Sequence, residues 1–269
     1  MVCATKPFLK WAGSKAALVP ELRKWVPRGF KTYHEPFVGS GALFFALQPA
    51  RAILSDANAT LVKTFQGVQQ DPHEVCTLLE IHAEQHCAEW YYDTRSRDPA
   101  HLQHADAAAW MIYMNKAGFN GLYRVNAKGL LNTPIGKTAN GAPPAILDRE
   151  TILACSRALF GHTILCGDFR GVEERAASGD LVYFDSPYAP ITDGSFTTYT
   201  ADGFTQKDQI DLRDLALRLK HRGVYVLLSN SPVVAPLYAE GFETRTITRS
   251  GNMNAKADGR GRVEELLIR

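Results

Sequence analysis

A short strand that runs through a glycine turn into a helix and out along a second strand restricts the fold of this chain more than any other feature. Residues 31–35 read as the first strand, Pro36-Phe37-Val38-Gly39-Ser40-Gly41 as the turn, 42–47 as an apolar helical segment and 51–55 as the second strand, ending at Asp56. Strand, glycine turn, helix and strand form a βαβ unit, which opens a doubly wound sheet. Further strands suit residues 162–166, 181–184, 224–229, 243–247 and 264–268, and a helix suits 206–221. The expected class is α/β, a Rossmann-like doubly wound mixed sheet.

Residues 59–151 have a different texture. They carry helical patterns up to Lys116 and then a glycine- and asparagine-rich stretch closing on Asn140-Gly141-Ala142-Pro143-Pro144. This reads as an inserted, mainly helical domain with an irregular or hairpin-containing surface, leaving 1–58 and 152–269 as the core domain. Between Asp106 and Asp148 there is no acidic residue, whereas Lys116, Arg124, Lys128 and Lys137 fall inside. Such a surface is locally positive and suits a polyanion, while the total net charge of +2 only permits a nucleic-acid partner. Residues 249–262, rich in Gly and Asn with four basic residues against one Asp, read as a mobile loop before the last strand.

Several classes are disfavoured by what the 269 residues lack. The apolar runs at 42–47 and 224–228 stop far short of the roughly 20 residues a membrane span needs, and the amino terminus has no signal-peptide pattern. A soluble, intracellular protein is expected. Cys3, Cys76, Cys87, Cys155 and Cys166 are odd in number and widely spaced, so they read as reduced, mostly buried thiols rather than disulfide, zinc or redox pairs. No Cys stands in a nucleophile loop and no His spacing suggests a metal.

In an open sheet of this kind, ligands bind beyond the carboxyl ends of the strands. The turn holding Phe37, Gly39 and Gly41 is placed there, and Asp56 follows where a carboxylate commonly accepts hydrogen bonds from a ribose. A plain strand-to-helix turn with a capping Asp reads equally well, and the full dinucleotide fingerprint is missing, so a smaller nucleoside is the more natural ligand. Leu181-Val182-Tyr183-Phe184-Asp185-Ser186-Pro187-Tyr188 is an apolar strand that delivers a carboxylate, a stiff turn and an aromatic ring to the same edge. By itself it is a common turn. In this position it could act on an exocyclic amine, whose lone pair is delocalised into its ring. A carboxylate and a main-chain carbonyl would hold the amine's hydrogens, and the aromatic ring would stack on the base. Phe8-Leu9-Lys10-Trp11-Ala12-Gly13-Ser14-Lys15 is either a packing anchor or a ligand contact.

These segments, together with Asn120-Gly121-Leu122, Arg124 and Gly167-Asp168-Phe169, occur in an order that resembles the Dam-type (GATC) DNA adenine methyltransferases. The likeness runs from Phe8 to the final strand and takes in Ser195-Phe196-Thr197, Tyr199 and Leu228-Ser229-Asn230. It implies a methyltransferase fold with an inserted DNA-recognition domain, S-adenosylmethionine as cofactor, no metal, double-stranded DNA as partner and a cytoplasmic protein of prokaryotic or phage origin. It also implies that Trp11, Lys15, Phe37, Gly39, Gly41, Asp56, Asp168, Phe169 and Asp185 line the cofactor pocket. Asp185, Ser186, Pro187 and Tyr188 would form the catalytic turn, which holds an adenine flipped out of the duplex. Phe119 would fill the gap left by flipping, with Asn120 beside it. Lys10, Leu122, Arg124 and Pro134 would face bases, and Arg95, Asn126 and Asn132 would contact phosphates. An arginine suits a guanine edge, and an apolar side chain suits a thymine methyl.

The chain departs from the family's usual pattern at Ser186, where proline is usual, and at Ser14, where glycine is usual. The first departure keeps open a DNA-binding protein with impaired catalysis, and related turns also serve cytosine amino groups. A duplex-reading hairpin disfavours RNA, whose major groove is too narrow for it. Nothing in the sequence calls for an obligate protein partner.

Overall fold

A computed structural model describes residues 5–127, 129–137, 141–188, 204–250 and 262–269. In chain order the elements are α1 (Val19–Trp25), β1 (Tyr33–Glu35), α2 (Ala42–Leu47), β2 (Ala52–Asp56), α3 (Ala59–Gln70), α4 (Pro72–Glu84), α5 (Ala88–Ser96) and α6 (His104–Ala117). They continue as α7 (Arg149–Leu159), β3 (Thr163–Cys166), α8 (Val172–Arg175), β4 (Leu181–Phe184), α9 (Gln206–His221), β5 (Tyr225–Asn230), β6 (Thr244–Ser250) and β7 (Arg262–Ile268). Seven strands form one mixed sheet in the order β3-β2-β1-β4-β5-β7-β6. β4 runs parallel to both β1 and β5, and β7 is antiparallel to both β5 and β6.

The chain divides into two compact units, one of Met1–Ser14, Val38–Gln48 and Leu54–Gly167, the other of Lys15–Phe37, Pro49–Ile53 and Asp168–Arg269. In the second unit α9 starts with a capping box: Thr205 and Asp208 satisfy each other's backbone amides. Its apolar face, Leu212, Leu215, Ala216 and Leu219, joins Val182, Phe184, Val226, Leu228, Leu266 and Ile268 in one buried cluster. Alternate residues of β4 and β5 enter that cluster, as the two-residue period of a strand requires. Each fully buried Leu, Val or Phe contributes about 1.5–3 kcal/mol.

In the first unit α6 packs against α3 and α4 and is buried along nearly its whole length, from Ala105 to Ala117. The contact with α3 is close because Gly67 has no side chain; a Cβ there would lie 2.2 Å from the His104 carbonyl oxygen. In α4, His82 stacks flat on Tyr113 of α6 at 4.4 Å, and its Nδ1 accepts a hydrogen bond from the Trp90 indole at 3.1 Å. Beyond α6 the chain doubles back through isolated antiparallel bridges, Gly118 with Ile135 and Val125 with Leu131. The Asn126 and Asn132 amides close this ribbon on the Leu130 and Arg124 carbonyls.

The strands and α9 lie where the sequence pattern puts them, with ends shifted by up to three residues at β6. Two expectations change. Among the described residues half of the thiols are buried: Cys76 and Cys155 are, whereas Cys87 and Cys166 are exposed, because each of the latter stands at the rim of an element rather than on its apolar face. The stretch 249–262 is not all loop, since Arg249 and Ser250 pair with Val263 and Arg262 as the ends of β6 and β7. Residues 251–261, with the rest of that expected loop, lie outside the described residues, as do Cys3, Lys128, Asn140, Ser195, Phe196, Thr197 and Tyr199. Among the described residues no helix is long and apolar enough to cross a membrane, and no group of three or more His, Cys, Asp or Glu side chains could hold a metal ion.

Candidate active site and nucleic-acid surface

Because β1, β4 and β5 are parallel, their carboxyl ends fall on one edge of the second unit. β4 ends there in Asp185-Ser186-Pro187-Tyr188. Lys15 Nζ lies 2.7 Å from Asp185 Oδ1 and is itself almost fully buried, at 5% exposure. The Ser229 hydroxyl donates to the same oxygen at 3.1 Å and pairs with the Tyr183 hydroxyl at 2.8 Å. A carboxylate has about four acceptor positions, so Asp185 keeps lone pairs for an incoming N–H. Burial raises the Asp185 pKa above the ordinary carboxylate value, and the charge and hydrogen bond of Lys15 oppose that rise.

The Lys15 ammonium also sits 4.5 Å from the Tyr188 ring centre, over one face. The Tyr188 hydroxyl donates to Glu265 of β7, a fully buried carboxylate. Burial, then the charges of Asp185 and Glu265, push this hydroxyl far above its usual range, so it stays protonated. Ser186 is buried, and its hydroxyl accepts from Asn230 Nδ2 at 3.2 Å. The Pro187 carbonyl accepts from Gln209 Nε2 at 3.0 Å. In the same unit Phe37 stacks on Phe169 at 5.3 Å, with Phe184 and Phe204 at its edges. Asp168 accepts from the Arg170 backbone amide and guanidinium, and that guanidinium also binds Asp208 and Asp211.

In the first unit the glycine turn closes on Asp56. Gly39 and Gly41 have φ of 48° and 66°, a region that side chains with a Cβ rarely enter. Gly39 N–H donates to Asp56 Oδ2 at 3.2 Å and Asn58 N–H to Oδ1 at 2.9 Å. Burial raises the Asp56 pKa, and these amides hold it back. The Ser14 hydroxyl bonds the Ser40 hydroxyl at 2.9 Å and so ties the amino-terminal segment to the turn. Trp11 stacks on Tyr123 at 5.5 Å.

The remaining expected DNA residues also lie in the first unit. Asn115 of α6 accepts from the Lys10 amide at 2.9 Å and returns a hydrogen bond to its carbonyl at 2.6 Å, leaving the exposed Lys10 side chain to solvent. A cleft of about 690 Å³ is lined by Lys10, Lys116, Phe119, Asn120 and Lys137, among others. Burial, then the charge of Lys10, lowers the Lys116 pKa, as expected where cations crowd without enough counter-charge. Phe119 and Leu122 are exposed at 45% and 38%. Arg124 Nε donates to Asn132 at 2.7 Å, which orients the guanidinium through the nitrogen that a fork of two Nη groups does not need. Asn126 accepts from the Leu130 amide at 3.1 Å; Arg95 donates to the Thr133 carbonyl at 3.0 Å and lies over Tyr92; Pro134 is exposed.

Sequence reading assigned no role to Ser229, Asn230, Gln209 or Glu265. The available signal was a polar residue inside a buried strand, Ser229-Asn230 after an apolar run and Glu265 ahead of Leu266-Leu267-Ile268.

Residues 11–254 match the family described as D12 class N6 adenine-specific DNA methyltransferase. The chain is 38% identical to the Type II methyltransferase M1.LlaDCHI of Lactococcus lactis subsp. cremoris, over 98% of this chain and 94% of that one. It is 36% identical to the Type II methyltransferase M.MjaIII of Methanocaldococcus jannaschii over 98% of each chain. To the DNA adenine methylase of Escherichia coli it is 30% identical, over 97% of this chain and 94% of that enzyme.

Proposed function

The chain belongs to the D12 class N6 adenine-specific DNA methyltransferase family, and from that premise we propose that it methylates the adenine of GATC in duplex DNA after flipping it, with Asp185-Ser186-Pro187-Tyr188 as the catalytic turn. It is an adenine-specific DNA methyltransferase, and the family implies S-adenosylmethionine as methyl donor. The observation that carries the catalytic assignment is the Lys15–Asp185–Ser229 cluster at the carboxyl ends of parallel strands, in which buried Lys15 and Ser229 hold a partly exposed Asp185.

In the first unit Asp56 keeps acceptor positions beyond its two amide bonds, which suits a ribose diol. In the second unit the Phe37–Phe169 stack offers an aromatic surface, which suits an adenine. When bound, the donor supplies a methyl group on a sulfonium that becomes neutral on release. The chain supplies position, desolvation and electrostatics. Asp185 accepts a hydrogen bond from the target amine and favours the positive charge that develops on nitrogen. Lys15 opposes the rise that burial gives the Asp185 pKa and so favours its charged form. Tyr188, one face under Lys15, stacks on the flipped base with the other.

We assign residues 59–151 to DNA recognition and the remainder to donor binding and chemistry. Phe119 fills the vacated stack with Asn120 beside it; Arg124 reads a guanine, Leu122 and Pro134 face a thymine methyl, and Lys10 reaches a second guanine. Arg95, Asn126 and Asn132 hold phosphates. The test is methylation of matched duplexes with GATC intact or permuted, followed by digestion to nucleosides. N6-methyldeoxyadenosine confined to the intact site supports the reading. Equal labelling of permuted sites sinks the GATC assignment, and methylcytosine sinks the choice of base.

A further inference from the structure

A proline directly after Asp185 would stiffen the turn covalently, because its ring fixes its own φ and restricts the residue before it. This chain lacks that ring immediately after Asp185. The turn is held another way. Asn230, the last residue of β5, uses its Nδ2 group twice, donating to Ser186 Oγ at 3.2 Å and to Gln209 Oε1 at 3.1 Å. Gln209, in the first turn of α9, donates in turn to the Pro187 carbonyl at 3.0 Å.

The amide orientations are fixed by their neighbours. Asn230 Oδ1 accepts from the Ser231 backbone amide at 2.7 Å, which can only donate, so Nδ2 must face the turn. The Pro187 carbonyl can only accept, so Gln209 presents Nε2 to it and Oε1 to Asn230. All three side chains are buried: Ser186 and Gln209 at 2% exposure, Asn230 at 0%. Losing one link leaves a buried donor or acceptor unpaired, so the chain of bonds acts as a unit. Its two ends grip consecutive residues of the turn, one through a side chain and one through the main chain. Its anchors are rigid, since β5 pairs with β4 and β7, and the capping box fixes the start of α9.

We infer that Asn230 and Gln209 are positioning residues that preorganise the catalytic turn in place of the missing proline ring, with the Ser186 hydroxyl as the point through which they act. The inference rests on the assignment of Asp185-Ser186-Pro187-Tyr188 as the catalytic turn. It makes Ser186 a coupled part of a hydrogen-bond chain instead of a tolerated lapse.

The test compares Ser186→Thr with Ser186→Val, side chains of nearly equal size of which only Thr keeps the hydroxyl. It adds Asn230→Ala and the double variant Ser186→Val/Asn230→Ala. Single-turnover methylation of a GATC duplex is measured at saturating S-adenosylmethionine, alongside the Kd values for cofactor and duplex. Ser186→Thr is expected to turn over at least tenfold faster than Ser186→Val. Asn230→Ala is expected to slow the step roughly ten- to a hundredfold, the range set by a misplacement of about 1 Å. The double variant should be no slower than the slower single one, and all Kd values should stay within about threefold. Equal rates for the Thr and Val variants overturn the inference, as do fully additive losses in the double variant or losses confined to Kd. If Asn230→Ala does not fold, the Thr and Val pair decides alone. An Asp185→Ala variant run alongside separates the two levels: full activity there removes the catalytic assignment, whereas its loss with equal Thr and Val rates removes only the positioning role.

Discussion

Asp185 stands between two opposed influences: burial favours its neutral form, and Lys15 at 2.7 Å favours its charge. The reaction needs the carboxylate. Since the pKa is raised, the single-turnover rate should fall on the acid side at a pH above the ordinary carboxylate range. Lys15→Met removes the group that opposes the rise, so the acid limb should move to still higher pH at saturating cofactor. A limb that stays in place or moves to lower pH would show that Lys15 does not govern this ionisation. Arg124 acts at the same scale. Arg124→Ala should cost about 1–3 kcal/mol on GATC and far less on a permuted duplex, the mark of a fork on a guanine edge. Equal losses on both, in a binding titration, would make Arg124 a phosphate contact. Both residues could be picked out in the sequence because each lies in a short local motif. Ser229, Asn230 and Gln209 could not be assigned roles, because their partners are 21 to 46 residues away and only the folding of β4, β5 and α9 together makes them neighbours.

The element-scale order of strand, turn, helix and strand was legible from apolar periodicity, and the helix at Gln206–His221 came out to the residue. The insertion of β7 between β5 and β6 was not, since strand order depends on pairing that a linear pattern does not carry. Nor was the packing of α6, whose burial on all sides erases the amphipathic signal, or the role of Gly67, which looks like an ordinary helix glycine until α6 is placed against it. His82, between α4 and α6, offers a pH test of this packing. Burial, aided by the nearby charge of Arg97, lowers its pKa from 6.5 to about 4. The unfolded chain therefore binds the proton more readily, and stability should fall as pH drops from about 6.5 toward 4. The shift corresponds to about 3 kcal/mol of lost stability by the lower limit. Urea unfolding across this range should show that slope in the native protein and a shallower one in His82→Gln. Parallel slopes would remove His82 from the acid response.

For the whole molecule, the positive stretch between Asp106 and Asp148 and the cleft beside Lys116 matter more than the net charge of +2. DNA affinity should fall steeply with salt, because each neutralised phosphate releases counterions. Arg95→Ala is expected to weaken GATC and permuted duplexes alike and to reduce the slope of log K against log salt by about 0.9. A loss restricted to GATC would make Arg95 a base reader. The same whole-molecule view sets the direct test of the chemistry, in which native protein and Asp185→Ala are each given labelled S-adenosylmethionine and a GATC duplex in a single turnover, with cofactor and duplex binding measured in parallel. The expected result is N6-methyldeoxyadenosine at the GATC adenine with the native protein, and transfer slower by roughly a hundred- to a thousandfold, the range for losing a preorganised transition-state contact, by a variant that still binds both partners. Transfer by Asp185→Ala at near-native rate, or native transfer to a base other than adenine, would contradict it.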